Sequence, residues 1–505
     1  MLKMSQQDKL NFQRWWANMY LDRSIEELHQ LLVEKKVTPL DLTLEAIELA
    51  KKDTNNAFET IIEKEAIEFA KSLTEPEVDN VFWGIPYVAK DNFSTKGILT
   101  TGSSNILHNY IPVYDATVIT KLKEAKTVLI GKVTLDELAM GGTGTTGHKG
   151  VTYNPYDPTH TYMIGGSSCG SAAAVAAGIV PFSLGSDTGD SVRKPACYSG
   201  LVGFKPTWGR ISRYGLFPFA PSLDHVGYFT RNVKDSAYIM NLLAGRDDKD
   251  ATSSLRENVD YAAHINSNVE GKRICVINQI LDSVSSIEIK QAFNATVEAL
   301  RDKGAIIDYV DFDINILNAI YPTYIVLSCA EATSNNANLD GIKFGLREGG
   351  ESSYSEVMMN ARTKGFCELI KRRFVIGSYS LFKDNQKELF LRDQKAIAKI
   401  VKELNKLFET YDAIYSPGTS NVKCPIEGQD LNKLSSTYLI VENYMAFANF
   451  AGLPSLTLPI GLVDNFPIGA NITTKAFDEE TAFNVASCIE SITNLKDLSV
   501  TKVVK

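Results

Sequence analysis

Several things are missing from this sequence, and each omission excludes something. Basic residues are not in excess: 52 Lys and Arg stand against 60 Asp and Glu, a formal charge of −8. That balance argues against autonomous nucleic-acid binding, which normally needs a basic face. There is no CxxC pair. The seven cysteines, Cys169, Cys197, Cys275, Cys329, Cys367, Cys424 and Cys488, are odd in number and widely spaced. They read as reduced thiols, not as a disulfide frame or a zinc site. No apolar run reaches transmembrane length, since the longest, around 172–185, is broken by Gly178 and Pro181. The first residues, Met-Leu-Lys-Met-Ser-Gln-Gln-Asp, lack the apolar core of a signal peptide. The expectation is a soluble cytoplasmic chain with no membrane contact. No internal repeat or low-complexity tract is visible, and 44% hydrophobic with 22% charged residues is an ordinary globular composition.

What is present reads as alternating helix and strand. Ser24 with Glu27 forms a capping box ahead of Leu28, Leu31 and Leu32, and Thr38-Pro39 opens a second helix toward Lys52. From residue 81 the pattern becomes α/β. An apolar run from Phe82 to Ala89 ends at Lys90; an amphipathic helix over 115–126 leads into a strand at 127–131. A small-residue helix over 170–179 precedes a strand at 181–185, and a polar excursion at 246–271 precedes a strand at 273–278. Helix 284–303 and strand 305–311 continue the pattern, 355–410 reads as charged helix, and 421–436 as a loop. Such alternation predicts an α/β fold with a large mixed, mostly parallel central sheet covered by helices on both faces. The expected organisation is an extension over 1–23, one domain over 24–495 with a helical addition near 355–410, and a tail over 496–505.

Three segments carry chemistry. Gly84-Ile-Pro-Tyr-Val-Ala-Lys-Asp-Asn-Phe93 puts a lysine at the end of an apolar strand; taken alone, Lys90 reads as a strand-end lysine reaching solvent. Gly165-Gly-Ser-Ser-Cys-Gly-Ser171 is a glycine-serine loop opening a helix, where a phosphate cradle is the obvious alternative. The GxxxxGK[ST] pattern is absent, so the small residues read better as allowing close backbone approach. In Gly185-Ser-Asp-Thr-Gly-Asp-Ser-Val-Arg-Lys-Pro-Ala196, Ser191 follows a strand and a glycine turn. A serine hydroxyl needs a base, and none of the six histidines lies in these segments. A lysine kept neutral by burial can serve instead.

Together these segments resemble the amidase signature family, with the match running over 165–215 and over the lysine segment 84–92. The resemblance implies a catalytic set of Lys90, a cis-peptide serine at Ser167 and a nucleophile at Ser191, with backbone N–H groups of Thr188, Gly189, Asp190 and Ser191 as the oxyanion hole. Further segments, among them Leu129–Gly142, Ala330–Gly341, Lys371–Gly377 and Asn449–Pro454, resemble the branch of that family formed by A subunits of aspartyl/glutamyl-tRNA amidotransferases. That branch implies hydrolysis of glutamine, with ammonia passed to a B subunit that uses ATP and magnesium on misacylated Glu-tRNA(Gln) or Asp-tRNA(Asn), and a C subunit bracing the pair. No cofactor or metal is implied for this chain. Substrate contacts carried over by the resemblance are Gly141, Gly142, either Arg372 or Arg373 for the glutamine α-carboxylate, and Glu442, where the family usually has aspartate, for the α-ammonium.

Three departures stand out: the run Gly142-Thr-Gly-Thr-Thr-Gly147, the aromatic Phe344 in place of a tyrosine, and Asp190 where the family has glycine. A carboxylate about 6 Å from an oxyanion opposes it by roughly 3 kcal/mol at an effective dielectric near 20, about a hundredfold in rate. Arg193 or Lys194 would offset that charge. The sequence therefore leaves an active glutaminase subunit, a catalytically silent scaffold subunit, and a stand-alone amidase for another small carboxamide as alternatives.

Overall fold

The computed structural model describes residues 19–347, 349–427, 435 and 437–503. Residues 1–18 of the expected extension, 428–434 and 436 of the expected loop, and 504–505 of the tail lie outside the described residues. The strands are β1 (Phe58–Ile61), β2 (Pro86–Lys90), β3 (Val128–Val133), β4 (Phe182–Asp187), β5 (Val202–Lys205), β6 (His225–Thr230), β7 (Arg273–Ile277), β8 (Ile306–Val310), β9 (Ala413–Pro417), β10 (Ser455–Val463) and β11 (Phe466–Thr474). They form one sheet in the order β1-β3-β2-β4-β6-β5-β10-β11-β9-β7-β8.

The large mixed sheet is as expected, but its balance is not. β3-β2-β4 and β9-β7-β8 pair in parallel. The other ladders, β1·β3, β4·β6, β6·β5, β5·β10, β10·β11 and β11·β9, are antiparallel. Sequence reading finds β2, β3, β4, β7 and β8, which alternate with helices, but misses β9 of the second parallel block and the antiparallel middle that joins the two blocks. It also misses β1, a four-residue edge strand lying before residue 81.

Local chemistry explains the helices. Ser24–Glu27 and Thr38–Asp41 both form complete capping boxes, for the helices Ile25–Val33 and Pro39–Lys51. The helix Cys169–Ala176 is buried along its whole length, which its run of Ala, Gly and Ser permits. The region 355–410 is three helices: Glu368–Leu381 and Phe390–Phe408 pack with the long helix Ile314–Asn335, and Tyr354–Gly365 packs on the turn Asn105–Leu107. Gly377 marks where two of these cross: a Cβ there would lie 2.0 Å from the Cys329 carbonyl oxygen. The described ends also join the body. Leu21 and Leu498 are buried, and the Ser499 and Thr501 hydroxyls each donate to the Asp22 carboxylate at 2.6 Å.

The sheet sets up the reactive region by placing the C-terminal ends of the parallel neighbours β2 and β4 side by side. From these ends come Lys90 and the turn that carries Ser191. Among the described residues no helix is long and apolar enough to cross a membrane, and no cluster of three metal-ligating side chains occurs.

Candidate active site

Lys90 does not reach solvent. It closes β2 with no exposed surface, and its Nζ donates to three serine hydroxyls: Ser167 Oγ at 2.8 Å, Ser168 Oγ at 2.9 Å and Ser186 Oγ at 2.9 Å. Ser167 and Ser168 come from the loop and first turn before the helix Cys169–Ala176; Ser186 comes from β4. Asn92 Nδ2 donates to the same Ser186 oxygen at 2.9 Å. Among the described residues no carboxylate touches Nζ. Burial therefore dominates, against distant help from Cys169, Asp136, Asp187 and Asp224, and lowers the Lys90 pKa to about 7. The peptide bond between Gly166 and Ser167 is cis.

Ser191 sits on the turn between β4 and the short helix Arg193–Ser199, nearly buried at 3% exposure. Its carbonyl accepts from the Ser168 N–H at 3.2 Å, which ties the turn to the Ser167 loop. Among the described residues none of the amides of Thr188, Gly189, Asp190 and Ser191 donates to a protein acceptor, so all four remain available. The turn is braced from behind. Arg193 is fully buried; it bonds both Asp187 oxygens at 2.9 and 3.1 Å, the Gly189 carbonyl at 2.7 Å and Asn449 Oδ1 at 2.7 Å. Burial alone would raise the Asp187 pKa, but the Arg193 guanidinium outweighs it and holds the carboxyl well below the usual range. Thr188 Oγ1 donates to Asp224 Oδ1 at 2.7 Å, fixing the front of the turn.

Asp190 does not need a left-handed backbone here, because its φ is not positive. Its side chain, one-fifth exposed, turns toward Lys194 at 3.5 Å. Lys194 in turn meets Glu442 Oε2 at 2.8 Å and also donates to the Glu442 carbonyl. Glu442 Oε1 accepts the Ser420 N–H at 2.9 Å. Two anions thus share one cation. Burial is the largest influence on Lys194 and would lower its pKa, yet Glu442 and Asp190 together raise it. Burial raises the pKa of Asp190 against the pull of Lys194.

The two arginines differ. Arg372 is exposed, whereas Arg373 is half-buried, with its guanidinium 5.5 Å from the Phe219 ring centre and Nη1 without a hydrogen-bond partner among the described residues. Phe219 meets Tyr324 edge-on at 6.4 Å, and Tyr324 lies against Gly189, where a Cβ would approach its ring to 3.0 Å. Gly141 packs on Asp136, where a Cβ would lie 2.4 Å from the carboxyl carbon, while Gly142 is exposed with open space around it. The departing run 142–147 wraps the Asp136 carboxylate, which accepts the N–H groups of Thr143, Gly144, Thr145 and Thr146 at 3.0–3.1 Å. Phe344 is half-exposed and lines a cavity of about 180 Å³ with Leu138 and Phe217.

The structure therefore brings Lys90, Ser167 and the Ser191 turn together, with Asp190, Lys194 and Glu442 on one side and Arg373 on another. Sequence reasoning missed Ser168, Ser186 and Asn92 around the lysine, and Asp187, Asn449 and Tyr324 around the turn. Ser168 and Ser186 stood in the quoted motifs as small polar residues beside the singled-out serines; Asn449 stood in the segment Asn449–Pro454 without a role, and Tyr324 had no local signal.

A family model for amidases matches residues 40–483. The chain belongs to the amidase family. Within it, subunits A of glutamyl-tRNA(Gln) amidotransferase are its relatives: that of Pediococcus pentosaceus is 38% identical over 94% of this chain and 98% of its own length. The Macrococcus caseolyticus subunit is 39% identical with the same coverage. The crystal structure of the Thermotoga maritima subunit superposes with a TM-score of 0.76 at 35% identity, covering 94% of this chain and 96% of that one. These likenesses put it among the enzyme subunits of the A type from tRNA-dependent amidotransferases.

Proposed function

We propose that this chain hydrolyses glutamine and supplies the ammonia to partner subunits that convert Glu-tRNA(Gln) or Asp-tRNA(Asn) to the amidated form. In this reading neutral Lys90 takes a proton from Ser167, which takes one from Ser191 as Ser191 Oγ bonds to the carboxamide carbon. The carbonyl oxygen becomes an oxyanion facing the free amides of 188–191. On collapse the C–N bond breaks, and the proton returns through Ser167 to the leaving nitrogen, releasing ammonia. Water then attacks the ester, its proton following the same relay, and glutamate leaves. Arg373 clamps the glutamine α-carboxylate through its unpartnered Nη1. B and C subunits complete the assembly, with ATP and magnesium used by the B subunit on the misacylated tRNA.

The observation that carries the reading is the 2.8 Å contact of Lys90 Nζ with Ser167 Oγ at full burial. Supporting it is the turn of Asp190 toward Lys194 at 3.5 Å, which partly offsets the charge that favours a silent scaffold. Ser191→Ala is expected to lower glutaminase turnover by at least about a thousandfold, as loss of a nucleophile does. Glutamate release by the chain with its co-purified partners measures this. Undiminished activity in Ser191→Ala sinks the mechanism. An inactive native protein favours the scaffold; hydrolysis of other carboxamides without partners favours a stand-alone amidase.

A further inference from the structure

Glutamine is a zwitterion at its α-carbon, so its pocket needs one available anion as well as one available cation. Glu442 holds the position where the resemblance expects that anion, but its charge is already committed. One carboxylate oxygen accepts the Ser420 N–H at 2.9 Å, the other meets Lys194 Nζ at 2.8 Å, and the same ammonium also bonds the Glu442 carbonyl. A substrate ammonium approaching Glu442 would have to displace Lys194 or sit against a like charge. Asp190 is less committed. Its contact to Lys194 is longer, 3.5 Å against 2.8 Å; among the described residues it accepts no backbone N–H; and it directly precedes Ser191, while the two side chains are equally exposed, 20% and 19%. Counting charges, Asp190, Lys194 and Glu442 carry two negatives and one positive, a surplus of one anion in a largely buried cluster. A single bound ammonium would neutralise it.

The rest of the path to the cation is contiguous. Gly189, next to Asp190, is covered by Tyr324; Tyr324 stands edge-on to Phe219; and Arg373 lies over Phe219 with an Nη1 that has no hydrogen-bond partner among the described residues. We propose that Asp190, not Glu442, binds the α-ammonium of the substrate, with the Lys194–Glu442 pair holding its carboxylate in place. This rests on the glutaminase reading and deepens it. It also gives the carboxylate beside the nucleophile a use. Unliganded, Asp190 opposes the oxyanion; with an α-ammonium bound, that opposition is cancelled, so the site is most reactive toward substrates that bring the ammonium.

The test compares glutamine with glutaramate, the same amide acid lacking the α-amino group, using the full chain together with its co-purified partners. The native protein is expected to favour glutamine in kcat as well as in KM. Asp190→Asn should lower kcat/KM for glutamine by about 10- to 100-fold, the loss of a charge-assisted contact, and raise kcat for glutaramate several-fold, collapsing the preference. Asp190→Gly, which restores the residue of the family signature, should do the same and serves if Asp190→Asn does not fold. Equal losses on both substrates, or a preserved preference, overturn the assignment. So does a preference that collapses in Glu442→Gln while Asp190→Asn keeps it. If the native protein hydrolyses no glutamine, the glutaminase reading fails and takes the assignment with it.

Discussion

Lys90 shows how burial makes a base. The same ammonium that would be protonated at any physiological pH in water is held without a counter-ion among three serine hydroxyls, and its pKa falls to about 7 because the charged form has lost its hydration. The sign follows directly. Below that value Lys90 is protonated and cannot accept a proton; above it the base is free. The kcat/KM for glutamine should therefore rise about tenfold per pH unit below about 7 and level off above it. A profile still climbing at pH 9, where an ordinary lysine begins to titrate, would show that the lysine keeps its usual pKa. In the sequence Ser167 and Ser191 stand inside glycine-serine motifs and Lys90 ends an apolar run, and only the resemblance to the amidase signature groups the three. Taken alone Lys90 reads as a strand-end lysine that finds water; its burial is expected only from the need for a neutral base in place of a histidine. The direction of Asp190 was not legible, because it depends on Lys194 four residues on and Glu442 some 250 residues away.

Elements place these residues, and Arg373 is the clearest case. It lies one helical turn before Gly377, on a helix that crosses Ile314–Asn335 so closely that a methyl group at 377 would overlap the Cys329 carbonyl and approach Thr333 Oγ1 to 2.2 Å. Gly377→Ala should force the helices apart. We expect a loss of about 1–3 kcal/mol, the usual cost of overpacking, together with a raised KM for glutamine, because Arg373 moves with its helix. Thermal denaturation and steady-state kinetics read the two effects; an unchanged melting temperature and KM would contradict the tight crossing. At this scale the sequence was readable where strands alternate with amphipathic helices. It was misleading in the middle of the sheet. β10 and β11 contain Pro459, Gly461, Pro467 and Gly469, residues that argue against interior strands, and a register shift between Pro459 and Gly461 absorbs the misfit. β1 is too short for its pattern to register.

At the scale of the whole molecule, the two described ends clasp each other. Asp22 accepts from Ser499 and Thr501, Lys502 donates to the Asp22 carbonyl, and Asn232 Nδ2 reaches Asp497 at 2.7 Å. Asp22→Ala removes the charged acceptor of both hydroxyls, leaving them only their 2.7 Å contact with each other, and should cost about 1.5–3 kcal/mol, as a lost hydrogen bond to a charged group does. Differential scanning calorimetry would register this as a lower melting temperature; an unaltered one would mean that the clasp contributes nothing.

The position of the β10–β11 hairpin also sets an order of events during synthesis. Both flanking blocks, β1-β3-β2-β4-β6-β5 and β9-β7-β8, are complete in sequence by Pro417, yet the hairpin that joins them spans only 455–474. Until that segment leaves the ribosome, the nascent chain carries two half-sheets whose facing edges, β5 and β9, have no neighbour. A chain stalled or cut short before residue 455 would keep those edges open to other chains, making it a client for chaperones or a seed for aggregation.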